Sequence, residues 1–217
     1  MKTNRFLSAA IFALALAFTF SCSGGDDEGG GSGNNQSGGG GSCSISSGET
    51  VTIGSQTWMS KNLNCNVSGS VCYGNDPANC AIYGRLFNWE AAKKACSGGW
   101  HLPSDAEWEE LMTAVGGSST AGTKLKATSG WKNRKGELGN GTDDFGFSAL
   151  PGGLGWGYGS LNGRFDESVG SSGYWWSATE LKDSEASYHH MHSDNAHVNS
   201  ISNGVKANFL SVRCVQD

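Results

Sequence analysis

The sequence has little proline, no excess of basic residues and no closely spaced cysteine pair. Only 3 of its 217 residues are proline, whereas 34 are glycine, 8 are tryptophan and 7 are cysteine. The net charge of -5 excludes a nucleic-acid-binding role, because no basic excess is available to neutralise phosphates. The absence of a Cys-x-x-Cys pair disfavours a zinc site. What is present indicates one loop-rich domain with an aromatic core and little helix.

The first 21 residues are predicted to be a signal peptide. Lys2 and Arg5 supply a positive start, and residues 6–20 form an apolar run shorter than the ~20 residues of a spanning helix. Cys22 resembles the lipid-bearing cysteine of bacterial lipoproteins, although Thr19 stands where leucine is usual. We therefore expect lipidation at Cys22 and attachment to the membrane through that lipid. Plain secretion and an uncleaved anchor are the alternatives.

Residues 22–42 are predicted to be a flexible tether, because a segment rich in glycine, serine and asparagine cannot bury apolar surface. The triplet Asp26, Asp27 and Glu28 resembles the signal that sends some bacterial lipoproteins to the cell surface. Acidic residues that only keep a linker solvated explain it equally well. We expect an outer-membrane protein that faces the cell exterior and a folded domain at residues 43–217.

The six cysteines that follow the tether are predicted to form disulfides, because an exported chain reaches an oxidising compartment. Six cysteines allow fifteen connectivities and, since the number is even, leave no spare reactive thiol. Two of them flank the polar stretch YGNDPAN, which favours a small closed loop. The expected pairs are Cys72 with Cys80, Cys96 with the distant Cys214 and, by elimination, Cys43 with Cys65.

Two short helices are predicted in the centre of the sequence. Ser104 and Glu107 form a capping box ahead of apolar residues at helical spacing, and Gly116-Gly117 would end that helix. The other helix is expected at about residues 86–95.

The rest of the folded region is predicted to consist of strands and irregular loops. ETVTIGSQTWMSKNLN alternates apolar and polar residues around a Gly-Ser turn, which is typical of a β-hairpin. GYWWSATE, ASYHHMHS, AHVNSIS and KANFLSVRCV predict an antiparallel meander in which residues 202–204 join the last two runs. Trp175 and Trp176 would point to opposite faces of a strand, one of them inward. The predicted fold class is α+β, stabilised by disulfides.

Six segments over about residues 49–217 follow one another in a characteristic order. They are TWMSKNLN, YGRLFNWEAAKKACSGGWHLPSDAEWEELM, AGTKLKA, GTDDFGFSALPGG, YWWSATE and SVRCVQD. Together they resemble the Fibrobacter succinogenes major paralogous domain, a family of exported bacterial proteins. That family is similar in turn to the C-type lectin-like fold and to the formylglycine-generating enzymes. The resemblance implies a lectin-like fold with a cysteine near the first helix bonded to the last strand, as Cys96 and Cys214 would be.

Catalysis is not expected from this sequence. No serine or thiol nucleophile in a recognised pattern accompanies His101, so a packed strand residue is favoured over a general base. The reactive cysteine pair of the formylglycine-generating enzymes has no unpaired counterpart here. We expect neither catalytic residues nor a cofactor.

A metal site is permitted by one histidine-rich segment but is not favoured. His190 and His192 would project from the same face of a strand, with Asp194 or His197 as further ligands. Ordinary exposed histidines are the favoured alternative.

A calcium site is suggested more weakly by GNGTDDFGF. Asn140, Asp143 and Asp144 supply oxygen donors, but the spacing is not that of an EF-hand and the signatures of calcium-dependent lectins are absent. An ordinary aspartate turn is favoured.

Trp156 and Tyr158 are the candidate ligand-binding residues. They lie among glycines in GGLGWGYGSLNGRF, and exposed rings in such loops often stack on sugars or on partner surfaces. Rings that fold back over the core are the alternative. We expect a non-catalytic protein that binds a glycan or a surface protein. A structural surface component and an enzyme related to the formylglycine-generating group are the other two hypotheses.

Overall fold

The computed structural model describes Cys43, residues 49–133 and residues 135–217, with Leu161 described by its backbone alone. These residues belong to one compact unit, 39–217. The expected signal peptide, Cys22 and the tether lie outside the described residues. In the part of the chain that is described, every helix is too short or too polar to cross a membrane.

Nine strands and four helices are found among the described residues. The strands are β1 (Thr50–Ile53), β2 (Gln56–Met59), β3 (Ser70–Val71), β4 (Leu86–Phe87), β5 (Trp100–His101), β6 (Ser172–Lys182), β7 (Glu185–His192), β8 (Val198–Val205) and β9 (Val215–Gln216). The helices are α1 (Pro77–Tyr83), α2 (Trp89–Ala95), α3 (Asp105–Ala114) and α4 (Ser118–Leu125).

The strands form three antiparallel sheets. Their orders are β1-β2-β9-β5, β3-β4 and β6-β7-β8. The predicted hairpin is confirmed, because β1 and β2 pair directly around a turn in which Gly54 has a φ of 63°. The α+β class is also confirmed.

The prediction of two helices was wrong, because α1 and α4 were not expected. α1 lies in the stretch assigned to a turn. Its N-cap is Asp76, whose side chain accepts a hydrogen bond from the backbone N–H of Ala78, and Pro77 occupies the first helical position. The same polar residues that favour a turn therefore start a helix here.

The start of α2 was also placed too early. Leu86 and Phe87 form strand β4 against β3, and the helix begins only at Trp89. Asn88 is the N-cap, since its side chain accepts a hydrogen bond from the backbone N–H of Ala91.

The capping box that begins α3 is confirmed. Ser104 and Glu107 exchange side-chain and backbone hydrogen bonds, and Gly116 and Gly117 both have positive φ beyond the helix. The predicted apolar stripe is buried; it consists of Trp108, Leu111, Met112 and Val115.

The meander is confirmed for three strands and wrong for the fourth. β8 runs through residues 202–204, which were expected to form a turn, and ends at Val205. The following run, KANFLSVRCV, makes isolated bridges up to Val215, such as the one between Leu210 and Phe87. Its last residues lead into β9, which lies between β2 and β5 in another sheet.

The β6–β7–β8 sheet separates two apolar clusters. Trp175 belongs to the cluster beneath α3 and α4, and Trp176 belongs to the cluster that includes Phe87 and Trp89. The two rings point to opposite faces of the sheet, as expected. The sequence predicted one inward ring, whereas both rings are fully buried.

A buried guanidinium connects β2 to the segment before β9. Arg213 is fully buried and donates to the Asn62 side chain at 2.8 Å and to the carbonyl oxygens of Met59 at 2.9 Å, Phe147 and Ser148 at 2.9 Å. The same Asn62 oxygen accepts from the indole of a buried tryptophan. These hydrogen bonds replace the hydration that burial removes from the charge.

The six cysteines lie in the three pairs expected from the sequence. The Cα–Cα distances are 5.9 Å for Cys43–Cys65, 5.1 Å for Cys72–Cys80 and 5.7 Å for Cys96–Cys214, all within the range for disulfides. The third pair spans 118 residues and joins the end of α2 to the segment before β9.

Candidate functional site

One face of the β6–β7–β8 sheet presents a row of half-buried aromatic and imidazole rings. We call Tyr174, Tyr188, His190 and His192 the aromatic ridge. Strand alternation places them on one face, and the register sets Tyr174 opposite His190. Neighbouring ring centroids are 4.8 to 6.3 Å apart. The opposite face of the sheet is covered by α3 and α4.

One end of the aromatic ridge opens into a small cleft of about 140 Å³, which we call the loop cleft. Trp156 and Tyr158 form one wall, with ring centroids 6.1 Å apart and planes at 80°. Tyr188 and Trp176 contribute from the sheet. Tyr158 is 42% exposed, whereas Trp156 packs partly against the core. One ring of the pair is thus exposed and the other is partly packed against the core, and ligand binding by the pair stays a prediction.

Glycines set the path of the loop that holds these two rings. Gly155 makes bridges to both Phe165 and Phe209, and a Cβ on Gly157 would overlap the carbonyl of Ala207. Any larger residue at Gly157 would push this loop away from the following segment. The loop is rich in glycine because its backbone lies so close to neighbouring segments that side chains would not fit.

The other end of the aromatic ridge opens into a cleft of about 560 Å³, which we call the acidic cleft. Tyr174 and His192 contribute from the ridge, and Asp166, Glu167 and Asp194 supply carboxylates. Its remaining lining residues are Asn133, Lys135, Ser168, Ser171, Ser172 and Ser193. Among its described lining residues three are carboxylates and one is a lysine, so these side chains together carry a net negative charge.

Asp166 also has a structural function in the acidic cleft. One carboxylate oxygen accepts from the backbone N–H of Leu154 at 2.9 Å, and the other accepts from the hydroxyl of Ser168. Glu167 and Asp194 are exposed. These two carboxylates are the ones positioned to meet a ligand.

His190 is the most perturbed group of the aromatic ridge. Burial, followed by the proximity of His192 and His189, lowers the pKa of His190 to about 4. Its Nδ1 atom is buried and has no hydrogen-bond partner among the described residues. The ring is therefore neutral at physiological pH and adds no charge to the aromatic ridge.

The candidate metal ligands are only partly brought together. The rings of His190 and His192 are 4.8 Å apart, but Nδ1 of His192 is 2.7 Å from the hydroxyl of Ser172. His197 is exposed in the turn after β7, and Asp194 lines the acidic cleft. Across the described ranges, no three histidine, cysteine or acidic side chains are grouped closely enough to hold a metal ion.

The loop considered for calcium uses its side chains internally. Asp143 accepts hydrogen bonds from the backbone N–H and the hydroxyl of Ser148, at 2.7 and 2.5 Å. Asn140 accepts from the backbone N–H of Trp131 at 3.0 Å. These bonds stabilise turns, as aspartate and asparagine commonly do.

His101 joins two carboxylates at the edge of the four-stranded sheet. Its ring nitrogens lie 2.5 Å from Glu107 and 2.5 Å from Asp217. Burial alone would lower the pKa of His101, but hydrogen bonds to Asp217 and Glu107 outweigh burial and raise it. Glu107 also belongs to the capping box, so the histidine ties β5 to α3.

A serine–histidine–aspartate arrangement was missed from the sequence. His189 is buried, with Nδ1 3.0 Å from the hydroxyl of Ser200 and Nε2 3.3 Å from the carboxylate of Asp105. Its ring stacks on Trp108 at 4.8 Å. Ser200 lies outside both clefts of the aromatic ridge. The hydrogen bonds anchor the sheet to the start of α3. Strand alternation could have predicted that His189 and His190 point to opposite faces of the sheet. The hydrogen-bond partners of His189, however, depend on tertiary packing.

A larger cleft of about 780 Å³ lies between β1–β2 and α1. Size alone would favour it as a binding site. However, Asn62, its buried polar side chain, is used by Arg213, Trp175 and the carbonyl of Tyr83. The aromatic ridge instead presents several rings beside exposed polar groups, so it is the better candidate.

Comparison with known proteins identifies the family of this chain. A search of curated proteins and a search of solved structures gave no match. The family model of the Fibrobacter succinogenes major domain matches residues 51–216, which span α1 to α4, all three sheets and both ends of the aromatic ridge. The resemblance recognised in the sequence is confirmed, and the chain belongs to the Fibrobacter succinogenes major domain family.

Proposed function

We propose that this protein is a non-catalytic recognition protein that binds glycans through the loop cleft. The observation that supports this function is the grouping of Trp156, Tyr158 and Tyr188 around one opening. The apolar faces of sugar rings stack on aromatic rings, and the perpendicular arrangement of the first two rings gives a shaped surface. Asn203 lines the same opening and offers an amide for hydroxyl groups.

The proposed fold relationship is to C-type lectin-like domains. Its support is the disulfide that joins Cys96, at the end of α2, to Cys214, next to the last strand. The antiparallel sheets and long connecting loops are compatible with this relationship.

The proposed location is the outer membrane, with the domain facing the cell exterior. Its support is in the sequence: the apolar segment at residues 6–20, Cys22 and the acidic residues that follow. Extraction into detergent and cleavage by external protease on intact cells should both be observed. A Cys22→Ala variant should lose membrane attachment, and retention on the membrane would contradict lipidation at this residue.

The glycan proposal is tested by a glycan array with the purified full-length chain. We expect specific binding that Tyr158→Ala lowers by about tenfold, because stacking and the associated burial contribute about 1.4 kcal/mol. Ile82→Ala is the matched control, since Ile82 is 59% exposed on α1, away from the aromatic ridge. A blank array would overturn the proposal. Blank results together with concentration-dependent self-association in light scattering would favour a structural surface component.

A further inference from the structure

We infer that the ligand is a linear, uncharged glycan of at least three sugar units that lies along the aromatic ridge from the loop cleft to the acidic cleft. This inference rests on the proposed glycan-binding function. It adds the length, the shape and the charge of the ligand.

The two clefts are parts of one continuous surface. Tyr188 lines the loop cleft and Tyr174 lines the acidic cleft, and their ring centroids are only 6.1 Å apart. His192 also lines the acidic cleft and lies two residues beyond His190 on the same face of β7. Alternate residues of a strand are about 7 Å apart, so Tyr188 and His192 are separated by roughly 14 Å.

This length determines the size of the ligand. A sugar ring is no larger than an aromatic side chain, so one sugar covers only one position on the surface. A ligand that covers the whole path of roughly 14 Å from Tyr188 to His192 therefore has one unit at each end of the aromatic ridge and one between them. An extended chain fits because the ridge follows the direction of a strand.

The neighbouring strand completes the surface beside the aromatic ridge. Ile201 lies opposite Tyr188, and Asn199 lies opposite His190. Both side chains are half-buried. An aliphatic side chain and an amide thus lie beside the rings, which suits a polymer of sugars with apolar faces and polar edges.

The charges of the acidic cleft determine which glycans are excluded. Glu167 and Asp194 are exposed there, and among the described lining residues Lys135 is the one lysine or arginine. A uronate or sulfated chain would bring its negative charges close to these carboxylates, which repel it. An uncharged chain avoids this repulsion and still donates hydroxyl hydrogen bonds to both carboxylates.

The experiment is a length series measured by isothermal titration calorimetry with the full-length chain. The probes are neutral β-linked glucose and N-acetylglucosamine oligomers of one to six units, together with uronate oligomers of equal length. We expect affinity to rise at least tenfold from one unit to three in the neutral series. The uronate series should bind at least tenfold more weakly at every length. A double variant, Glu167→Gln with Asp194→Asn, should reduce this discrimination.

Variants at the two ends test whether both clefts are used. Tyr158→Ala and Tyr174→Ala should each lower the affinity for the trimer by about tenfold, with unchanged far-UV circular dichroism. Glu167→Gln is a second probe of the acidic cleft. Because the side chain of Glu167 is exposed, its replacement leaves the packing of the sheet unchanged. Equal affinity for one and six units, still dependent on Tyr158, would overturn the inference while the proposed function stands. Binding of no glycan at any length would overturn both.

Discussion

Replacement of Arg213 with methionine is expected to destabilise the domain by about 4 kcal/mol. The buried guanidinium donates to the side chain of Asn62 and to the carbonyls of Met59, Phe147 and Ser148. Methionine fills much of the same volume but donates no hydrogen bond, so the three carbonyls lose the guanidinium and the Asn62 oxygen keeps the indole of Trp175. An unsatisfied buried polar group costs about 1–3 kcal/mol, and losses within one network add incompletely, which gives a total of about 4 kcal/mol.

Urea unfolding under non-reducing conditions, followed by tryptophan fluorescence and circular dichroism, measures this change in the free energy of unfolding. Arg164→Met is the matched control, because Arg164 is exposed and its replacement should change stability by less than about 0.5 kcal/mol. Arg213→Lys should give an intermediate loss, since lysine keeps the charge but not the planar donors. A loss below about 1 kcal/mol for Arg213→Met, at an unchanged urea slope, would refute the assigned role of the network.

Three further predictions concern a disulfide, the aromatic ridge and the start of α3. Joint replacement of Cys96 and Cys214 with alanine removes a cross-link across 118 residues and should lower the free energy of unfolding in urea by about 4–5 kcal/mol. A loss no larger than that from removing the cross-link across 8 residues would contradict this expectation. His190→Phe should weaken the loss of stability on acidification, because the pKa of His190 is lowered to about 4 by folding, so that the unfolded chain binds the proton more readily. Between pH 7 and pH 5 the natural protein should lose up to about 2 kcal/mol more stability than the variant, since the pKa of histidine in the unfolded chain is about 6.5. Equal losses for the two proteins, measured by thermal unfolding at both pH values, would contradict this prediction. Ser104→Ala removes the N-cap of α3 and should cost about 1 kcal/mol in the same assay, whereas Glu109→Ala on the exposed side should have little effect.

The sequence predicts local structure well where neighbouring residues supply all the interactions. Ser104 and Glu107 complete the capping box within one turn, and β1 pairs with β2 around a single tight turn. The same local logic fails for Pro77, where one polar segment is compatible with both a turn and a helix start. The choice depends on the Cys72–Cys80 loop and on packing around it.

Long-range pairing explains the remaining errors in the fold. Residues 202–204 look like a turn, but pairing with β7 holds Gly204 opposite Ala186 and keeps the strand extended. The run that follows has strand-like composition, yet its partners are single residues from several segments, including Phe87. The composition of a run does not show which distant segment its backbone can pair with.

The candidate site is predictable only in part for the same reason. Trp156 and Tyr158 are conspicuous among glycines, and both line the loop cleft. Tyr174 and Tyr188 look like ordinary strand residues in the sequence. They become part of a surface because the register between β6 and β7 places their rings on one face.

The position of β9 has a consequence for biogenesis. This two-residue strand fills the gap between β2 and β5, so both neighbours retain unpaired edges until Val215 and Gln216 arrive. A chain shortened by a few residues would keep those edges open to proteases and to other nascent chains. Assembly of this sheet therefore waits for residues more than 110 positions beyond β5, and β5 joins β1 and β2 only through them.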